Sequence, residues 1–293
     1  MIKARGMIIH LNGQFLEDHE ARVSVFDRGF LFGDGVYESI RYFNGKPVMM
    51  QAHLDRLRRS MELIGIANFE PDELGQRSED LLRENGLTDA GVYWQITRGS
   101  EMVRSHVPGD DLDMPTVFGY ARELPSLDTI ANHIDETACI LRHDDRWARC
   151  DIKSLNLLPN ILAQMEAEKG GASEAVLYRD GFITEGTSSN VWVWDGNFWV
   201  TPPLTSSNSQ YHDYNILAGV TRLLILNLGD ISTMVRPIAL EEIARAEEII
   251  LTSSTKLLRV VTHLDGGAVG SGSIGVRARE LHRRMIDGLR GML

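Results

Sequence analysis

Apolar and polar positions in the first fifty residues alternate in short runs, and tight-turn signals break the runs. Met7-Ile8-Ile9-His10-Leu11 leads through Asn12-Gly13 into Gln14-Phe15-Leu16. Asn-Gly between such runs predicts a hairpin, because both turn residues must adopt positive φ. The same device stands at Asn44-Gly45, between Ser39 to Phe43 and Pro47 to Met50. The period then changes. Leu54, Leu57, Met61 and Ile64 fall on one face of a helix, and a second helix is predicted from Asp72 to Glu84, stopped near Asn85-Gly86. Gly91 to Gly99 and Thr116 to Tyr120 read as strands.

Periodicity fades over Arg122 to Asp128, which contains Pro125, and this places a linker at 123–129 between domains at 1–122 and 130–293. The second half opens with a strand at Thr137 to Arg142. Leu155, Leu158, Ile161, Leu162 and Met165 give the apolar stripe of a helix that ends at Gly170-Gly171. Hairpins are predicted around Asp180-Gly181 and Asp195-Gly196-Asn197. Helices follow at Gly219 to Leu228, Leu240 to Ala246 and Val276 to Leu289, with a buried strand at Ile249 to Leu251. Strands mixed with separated helices give an α+β chain in two domains. The first is a smaller α/β domain, and the second is larger and β-rich with helices.

Composition narrows the function. A net charge of -11 with no basic block argues against nucleic acid and against an anionic membrane surface. No run approaches the roughly 20 apolar residues of a membrane helix. The two cysteines, Cys139 and Cys150, have no metal or redox spacing, so no metal is expected and a reducing cytoplasm is the simplest setting.

Lys153 carries the chemistry. It sits in Arg149-Cys150-Asp151-Ile152-Lys153-Ser154-Leu155-Asn156, a short polar run before an apolar helix. In a site of low dielectric a lysine can deprotonate and form a Schiff base with an aldehyde. Downstream lies Ile183-Thr184-Glu185-Gly186-Thr187-Ser188-Ser189-Asn190-Val191. A carboxylate such as Glu185 can hold a pyridine nitrogen protonated and make the ring an electron sink. Ala218-Gly219-Val220-Thr221 opens a helix whose N-terminus could take an anion.

These stretches resemble the fold-type-IV pyridoxal-phosphate aminotransferases, and among them the D-amino-acid aminotransferases. The resemblance spans nearly the whole chain and is most specific around Lys153 and Glu185. It implies pyridoxal 5'-phosphate as cofactor and Lys153 as its covalent and proton-transferring residue. Glu185 would pair with the ring nitrogen, and Ser188 would lie beside the cofactor. Leu217 would pack on the ring, and Arg56, Val220, Thr221 and Ser254 would hold the phosphate. Tyr37, in Phe32-Gly33-Asp34-Gly35-Val36-Tyr37-Glu38, would bind the substrate carboxylate. Arg104 and His106 would complete that trap from the partner subunit of a homodimer with shared active sites. Arg146, in Arg146-Trp147-Ala148-Arg149, would help order the cofactor edge. The chain departs from the family in Lys256-Leu257 after Ser254, in one extra residue before Arg104, and in a long stretch at 204–215.

The implied reaction moves an amino group between a D-amino acid of the alanine or glutamate type and a 2-oxo acid by a ping-pong course. Branched-chain L-amino acids or (R)-amines are the alternative substrates. Leu158, where branched-chain enzymes carry a tyrosine, speaks against the former. The carboxylate trap speaks against the latter. A lyase of 4-amino-4-deoxychorismate shares the fold, and nothing in the sequence selects it. A scaffold without turnover would not need the pair Lys153 and Glu185.

Overall fold

The computed structural model describes residues 6–109, 112, 114–204 and 216–293. Its contacts divide the chain into two compact units. One comprises Met1–Ser126, Ile152–Asn156 and Leu293, the other Leu127–Asp151 and Leu157–Met292. The chain therefore returns Lys153 and its neighbours to the first unit, although they follow Ser126 by some distance in sequence.

The first unit contains β1 (Ile8–Leu11), β2 (Gln14–Glu17), α1 (Arg28–Phe32), β3 (Gly35–Phe43), β4 (Lys46–Pro47), α2 (Met50–Ile64), α3 (Glu73–Asn85), β5 (Ala90–Thr97) and β6 (Val117–Glu123). Its strands form one antiparallel sheet in the order β2-β1-β6-β5-β3-β4. Asn12 and Gly13 turn the first hairpin at φ 48° and 87°, and Asn44 and Gly45 turn the second at 49° and 74°. Alternation along β3 sends Val36, Ile40 and Tyr42 into a core shared with Leu54, Leu57 and Met61 of α2 and Leu74 and Leu81 of α3. Trp94 on β5 is fully buried there and donates from Nε1 to Ser78 Oγ at 2.8 Å.

The second unit contains α4 (Leu127–Ala131), β7 (Asp135–His143), α5 (Leu158–Lys169), β8 (Glu174–Arg179), β9 (Phe182–Gly186), β10 (Asn190–Trp194), β11 (Trp199–Thr201), α6 (Val220–Leu226), β12 (Thr233–Val235), α7 (Leu240–Ile243), β13 (Ile249–Ser253), β14 (Leu257–Leu264), β15 (Gly267–Ala268) and α8 (Val276–Met292). Among the described residues the sheet runs β12-β11-β10-β13-β14-β7-β8-β9, with β15 on β14. Val191, Val193, Ile249, Leu251 and Val261 form the core on one face.

The stripe of α5 reverses its expected role. Ala163 and Ala167 pack inward against Ala175 and Leu177. Leu158, Ile161, Leu162 and Met165 are 65, 51, 51 and 60 % exposed. Periodicity found the helix but assigned the wrong face to this chain's core. Small alanines let the helix lie close to β8, which leaves the bulky residues outside. No helix among the described residues is long and apolar enough to cross a membrane.

Candidate active site

In the first unit, Lys153 lies on a segment that runs beside the start of β3. Tyr37 N–H donates to Lys153 O at 3.0 Å, and Leu155 N–H donates to Gly35 O at 3.0 Å. Lys153 N–H in turn donates to Ser60 Oγ of α2 at 3.2 Å. These backbone bonds fix the lysine although its sequence neighbours are mostly turns. Its Nζ sits 4.2 Å from the centroid of the Tyr37 ring. Tyr37 also stacks on Tyr93 at 5.6 Å, so the face of β3 opposite the core presents Lys153 and Tyr37 together.

Arg56 projects from α2 onto the core face of the same strand. Its Nε and Nη2 donate to the two oxygens of Glu38 at 2.7 and 2.8 Å. His53 Nδ1 lies 2.8 Å from Glu38 Oε2. Glu38 is 1 % exposed. Burial pushes its carboxyl up, but Arg56 and His53 outweigh burial and hold it far below the usual range. Burial lowers His53, against the pull of Glu38. Sequence reading missed Glu38 and His53. The signal was present: Glu38 occupies a core position in the alternation of β3, and a buried carboxylate requires a paired cation.

Arg104 and His106 lie on an exposed loop of the same unit. The Arg104 guanidinium sits 4.7 Å over the Phe32 ring, and the His106 ring meets Phe32 edge-on at 5.7 Å. The two are thus brought together, on one aromatic support.

In the second unit, Glu185 on β9 is 5 % exposed and receives three donors. Arg146 Nη1 reaches Oε1 at 2.6 Å, while Leu217 N–H and Asn190 Nδ2 reach Oε2 at 3.0 and 3.2 Å. Burial pushes the carboxyl up and prevails over Arg146 and the Leu217 N–H, which oppose it. Arg146 bridges onward to the buried Asp144, from Nε at 2.9 Å and from Nη2 at 2.9 Å. Asn190 Nδ2 also donates to Leu217 O at 3.0 Å. One amide therefore ties the Glu185 strand to the turn before α6. A Cβ at Gly219 would collide with the Asn190 side chain, so only glycine permits that approach.

Val220 and Thr221 open α6 and are buried, each 4 % exposed. Ser188 is exposed, and its N–H and Oγ donate to Glu174 Oε1 at 2.9 and 3.3 Å. Ser254 opens the turn from β13 to β14. Leu257, where the family pattern is broken, takes φ 57°, an uncommon state for a leucine. Asn190, Glu174 and Arg259, which pairs with Glu174, carried no expected role. Arg259 pairs with Glu174 from 85 residues away, and Asn190 reaches Leu217 from 27 away, so no local pattern marks these contacts. The expectation for 204–215 falls, from 205 onward, outside the described residues. Among the described residues no group of His, Cys, Asp and Glu could hold a metal ion.

Each unit thus carries chemically distinct groups of its own. The first carries an amine against an aromatic ring. The second carries a buried carboxylate fixed by three donors. The family model described as amino-transferase class IV matches residues 35–264. A D-alanine aminotransferase of Bacillus licheniformis is 38 % identical over 273 residues, covering 92 % of each chain. A D-alanine aminotransferase of Listeria monocytogenes is 35 % identical over 287 residues, covering 96 % of each. Among solved structures, the branched-chain amino acid aminotransferase of Escherichia coli superposes with TM-score 0.83 at 22 % identity, over 95 % of this chain and 92 % of that one. At that identity the likeness shows the fold, which is shared across substrate groups. The match to the family model over residues 35–264, and to aminotransferases above 30 % identity over more than nine-tenths of the chain, establishes the activity class: the chain belongs to the amino-transferase class IV family.

Proposed function

We propose that the protein is a D-amino-acid aminotransferase that uses pyridoxal 5'-phosphate. The observation that carries the substrate choice is the pairing of Arg104 and His106 on one loop. The D-alanine aminotransferases at 34–38 % identity support the same choice.

When bound, the cofactor supplies an aldehyde for the amine and a ring that accepts electrons. This chain's residues fit it. Lys153 would supply the amine that holds the aldehyde and the base that moves a proton at the substrate carbon. Glu185, raised by burial and pulled toward the anion by Arg146 and two N–H donors, would pair with a protonated ring nitrogen. Arg56, oriented by Glu38 and His53, supplies a cation for the phosphate. Val220, Thr221 and Ser254 would supply its N–H and hydroxyl donors, Leu217 would pack on the ring, and Ser188 would border it. Tyr37, Arg104 and His106 bind the substrate carboxylate, and this fixes which hydrogen of the substrate faces Lys153.

The working form in this reading is a homodimer, with Arg104 and His106 serving the partner subunit's site. The exposed apolar face of α5 fits burial against a second copy. Two buried, unbridged thiols fit a cytoplasmic setting. The test is the cofactor absorbance of the holoenzyme mixed with single donors. D-Alanine should bleach the band faster than L-leucine or (R)-1-phenylethylamine. Faster bleaching by L-leucine would move the protein to the branched-chain group.

A further inference from the structure

Arg28 opens α1, lies 2 % exposed, and has no role in the chemistry described so far. Its neighbours tie it firmly to the sheet. Asp27 caps α1 by accepting from Gly29 N–H at 2.8 Å, and it accepts from Thr97 and Thr116 hydroxyls at 2.9 and 2.7 Å. Arg28 N–H donates to Gly99 O at 2.8 Å. The backbone of Arg28 is therefore part of the rigid end of β5.

The side chain reaches from this anchor into the loop after Gly99. Nη1 pairs with Glu101 and donates to Ser105 O at 2.8 Å. Nη2 donates to His106 O at 2.9 Å. Glu101, in turn, accepts from Gly109 N–H at 2.8 Å through its other oxygen. One guanidinium thus holds the start, the middle and, through Glu101, the end of the segment 101–109.

The clamp continues inward. Arg28 Nε donates to Asp34 Oδ2 at 2.8 Å. Arg98 donates to both Asp34 oxygens at 2.8 and 2.9 Å and to the carbonyls of Ile64 and Gly65 at the end of α2. The alternating series Arg98, Asp34, Arg28, Glu101 links a core helix to the loop. Phe32 completes it, with the Arg28 guanidinium 4.9 Å and the Arg104 guanidinium 4.7 Å from the ring centroid.

We propose that Arg28 is a positioning residue for substrate recognition: it sets the backbone of 104–106 and the Phe32 platform so that Arg104 and His106 present a fixed carboxylate site. This rests on the reading of Arg104 and His106 as carboxylate ligands. The physical reason is entropy. Eight consecutive residues from Met102 to Gly109 are exposed, and such a loop would otherwise lose its freedom only when substrate binds. A buried planar fork that donates to three loop groups at once removes that cost beforehand.

The test uses the dimeric holoenzyme with D-alanine and its 2-oxo-acid acceptor. Arg104→Ala, Arg28→Met and the double variant are compared by KM, by kcat and by amide hydrogen exchange of 101–109. Arg28→Met should raise KM for D-alanine by about 10- to 100-fold, the scale of an ångström-sized misplacement, with a smaller change in kcat. Exchange of the Ser105 and His106 region should quicken. Because Arg28 acts through Arg104, Arg28→Met should add little to Arg104→Ala; a general structural defect would add in full. Wild-type KM in Arg28→Met, beside a raised KM in Arg104→Ala, would overturn the proposal and leave the carboxylate reading standing. An unchanged KM in Arg104→Ala would overturn both. If Arg28→Met does not fold because Asp34 and Glu101 lose their cation, Glu101→Gln loosens only the loop side. That variant should show the same KM rise and faster exchange, and normal values for both would equally overturn the proposal.

Discussion

The residue with the most exacting surroundings is Glu185. Burial alone would favour the neutral acid, which could not hold a proton on a neighbouring ring nitrogen. Arg146, Leu217 N–H and Asn190 pull toward the anion without overcoming burial, and Asp144 balances Arg146 from behind, so in the proposed reading the cationic ring nitrogen completes the pull. Glu185→Gln keeps the shape and removes the charge. The rate of the D-alanine half-reaction should fall by about 10²–10³-fold, the scale seen when one electrostatic stabiliser is removed, while the melting temperature changes little. Stopped-flow absorbance and calorimetry on the same preparation check this. A wild-type rate would make Glu185 a structural residue. Lys153 and Glu185 stand out as candidates in the sequence because the short runs around them resemble a family. Asn190 stood in the same run without a visible role, since it joins Glu185 to a second partner 27 residues away at Leu217.

At the scale of elements, the first sheet shows how strand register restricts side chains. In register, Gly119 on β6 lies between His10 on β1 and Trp94 on β5. His10 and Trp94 meet across it edge to face at 5.2 Å. A Cβ at Gly119 would fall on the ring carbons of Trp94. Gly119→Ala should therefore destabilise the protein by about 1–3 kcal/mol through overpacking, read as a lower denaturant midpoint with unchanged slope. The hairpins at Asn12-Gly13 and Asn44-Gly45 were readable because turn chemistry is local. The close approach at Gly119 was not, because it depends on which three strands become neighbours. Strand β14 shows another gap. Its apolar run follows a leucine held at positive φ, and no local rule announces a strand there.

At the scale of the whole molecule, two expectations concern association and pH. The α5 face, Leu158, Ile161, Leu162 and Met165, is the bulky side of an amphipathic helix with nothing of comparable size beneath it. If this face closes the proposed homodimer, Leu162→Glu should shift the sedimenting species from twice 32.8 kDa toward 32.8 kDa and should lose activity with it. A wild-type dimer in that variant would place the interface elsewhere. Burial lowers His10 from its ordinary 6.5 to about 4, and it lowers His53 as well. The unfolded chain therefore takes up these protons before the folded one does. Their contribution to stability is complete above pH 6.5 and declines as pH falls toward about 4. Melting temperature should drop across that window, and His10→Gln should flatten the drop. Asp34 and Glu101 act at lower pH. Arg98 and Arg28 outweigh burial at Asp34, and Gly109 N–H with Arg28 lowers Glu101. The loop clamp should therefore persist below the ordinary carboxylate range and open only as pH falls through the lowered values, visible as faster exchange of 101–109.

What the sequence by itself determined were features with short physical range: the Asn-Gly turns, the helices of period 3.6, the polar run around Lys153 and the acid in its Thr-Glu-Gly setting. Each depends on φ restrictions, periodicity or a contiguous motif, and each can be read within about a dozen residues. Tertiary structure alone decided that residues 152–156 lie along β3, so that Lys153 meets Tyr37. It alone decided that α5 packs by its alanines and that Glu38 is buried with Arg56 and His53. It alone decided that Arg28 holds a loop more than seventy residues away. The reason is the same in every case. A buried charge or a packed face takes its meaning from partners that the fold, and not the chain order, brings within a few ångströms.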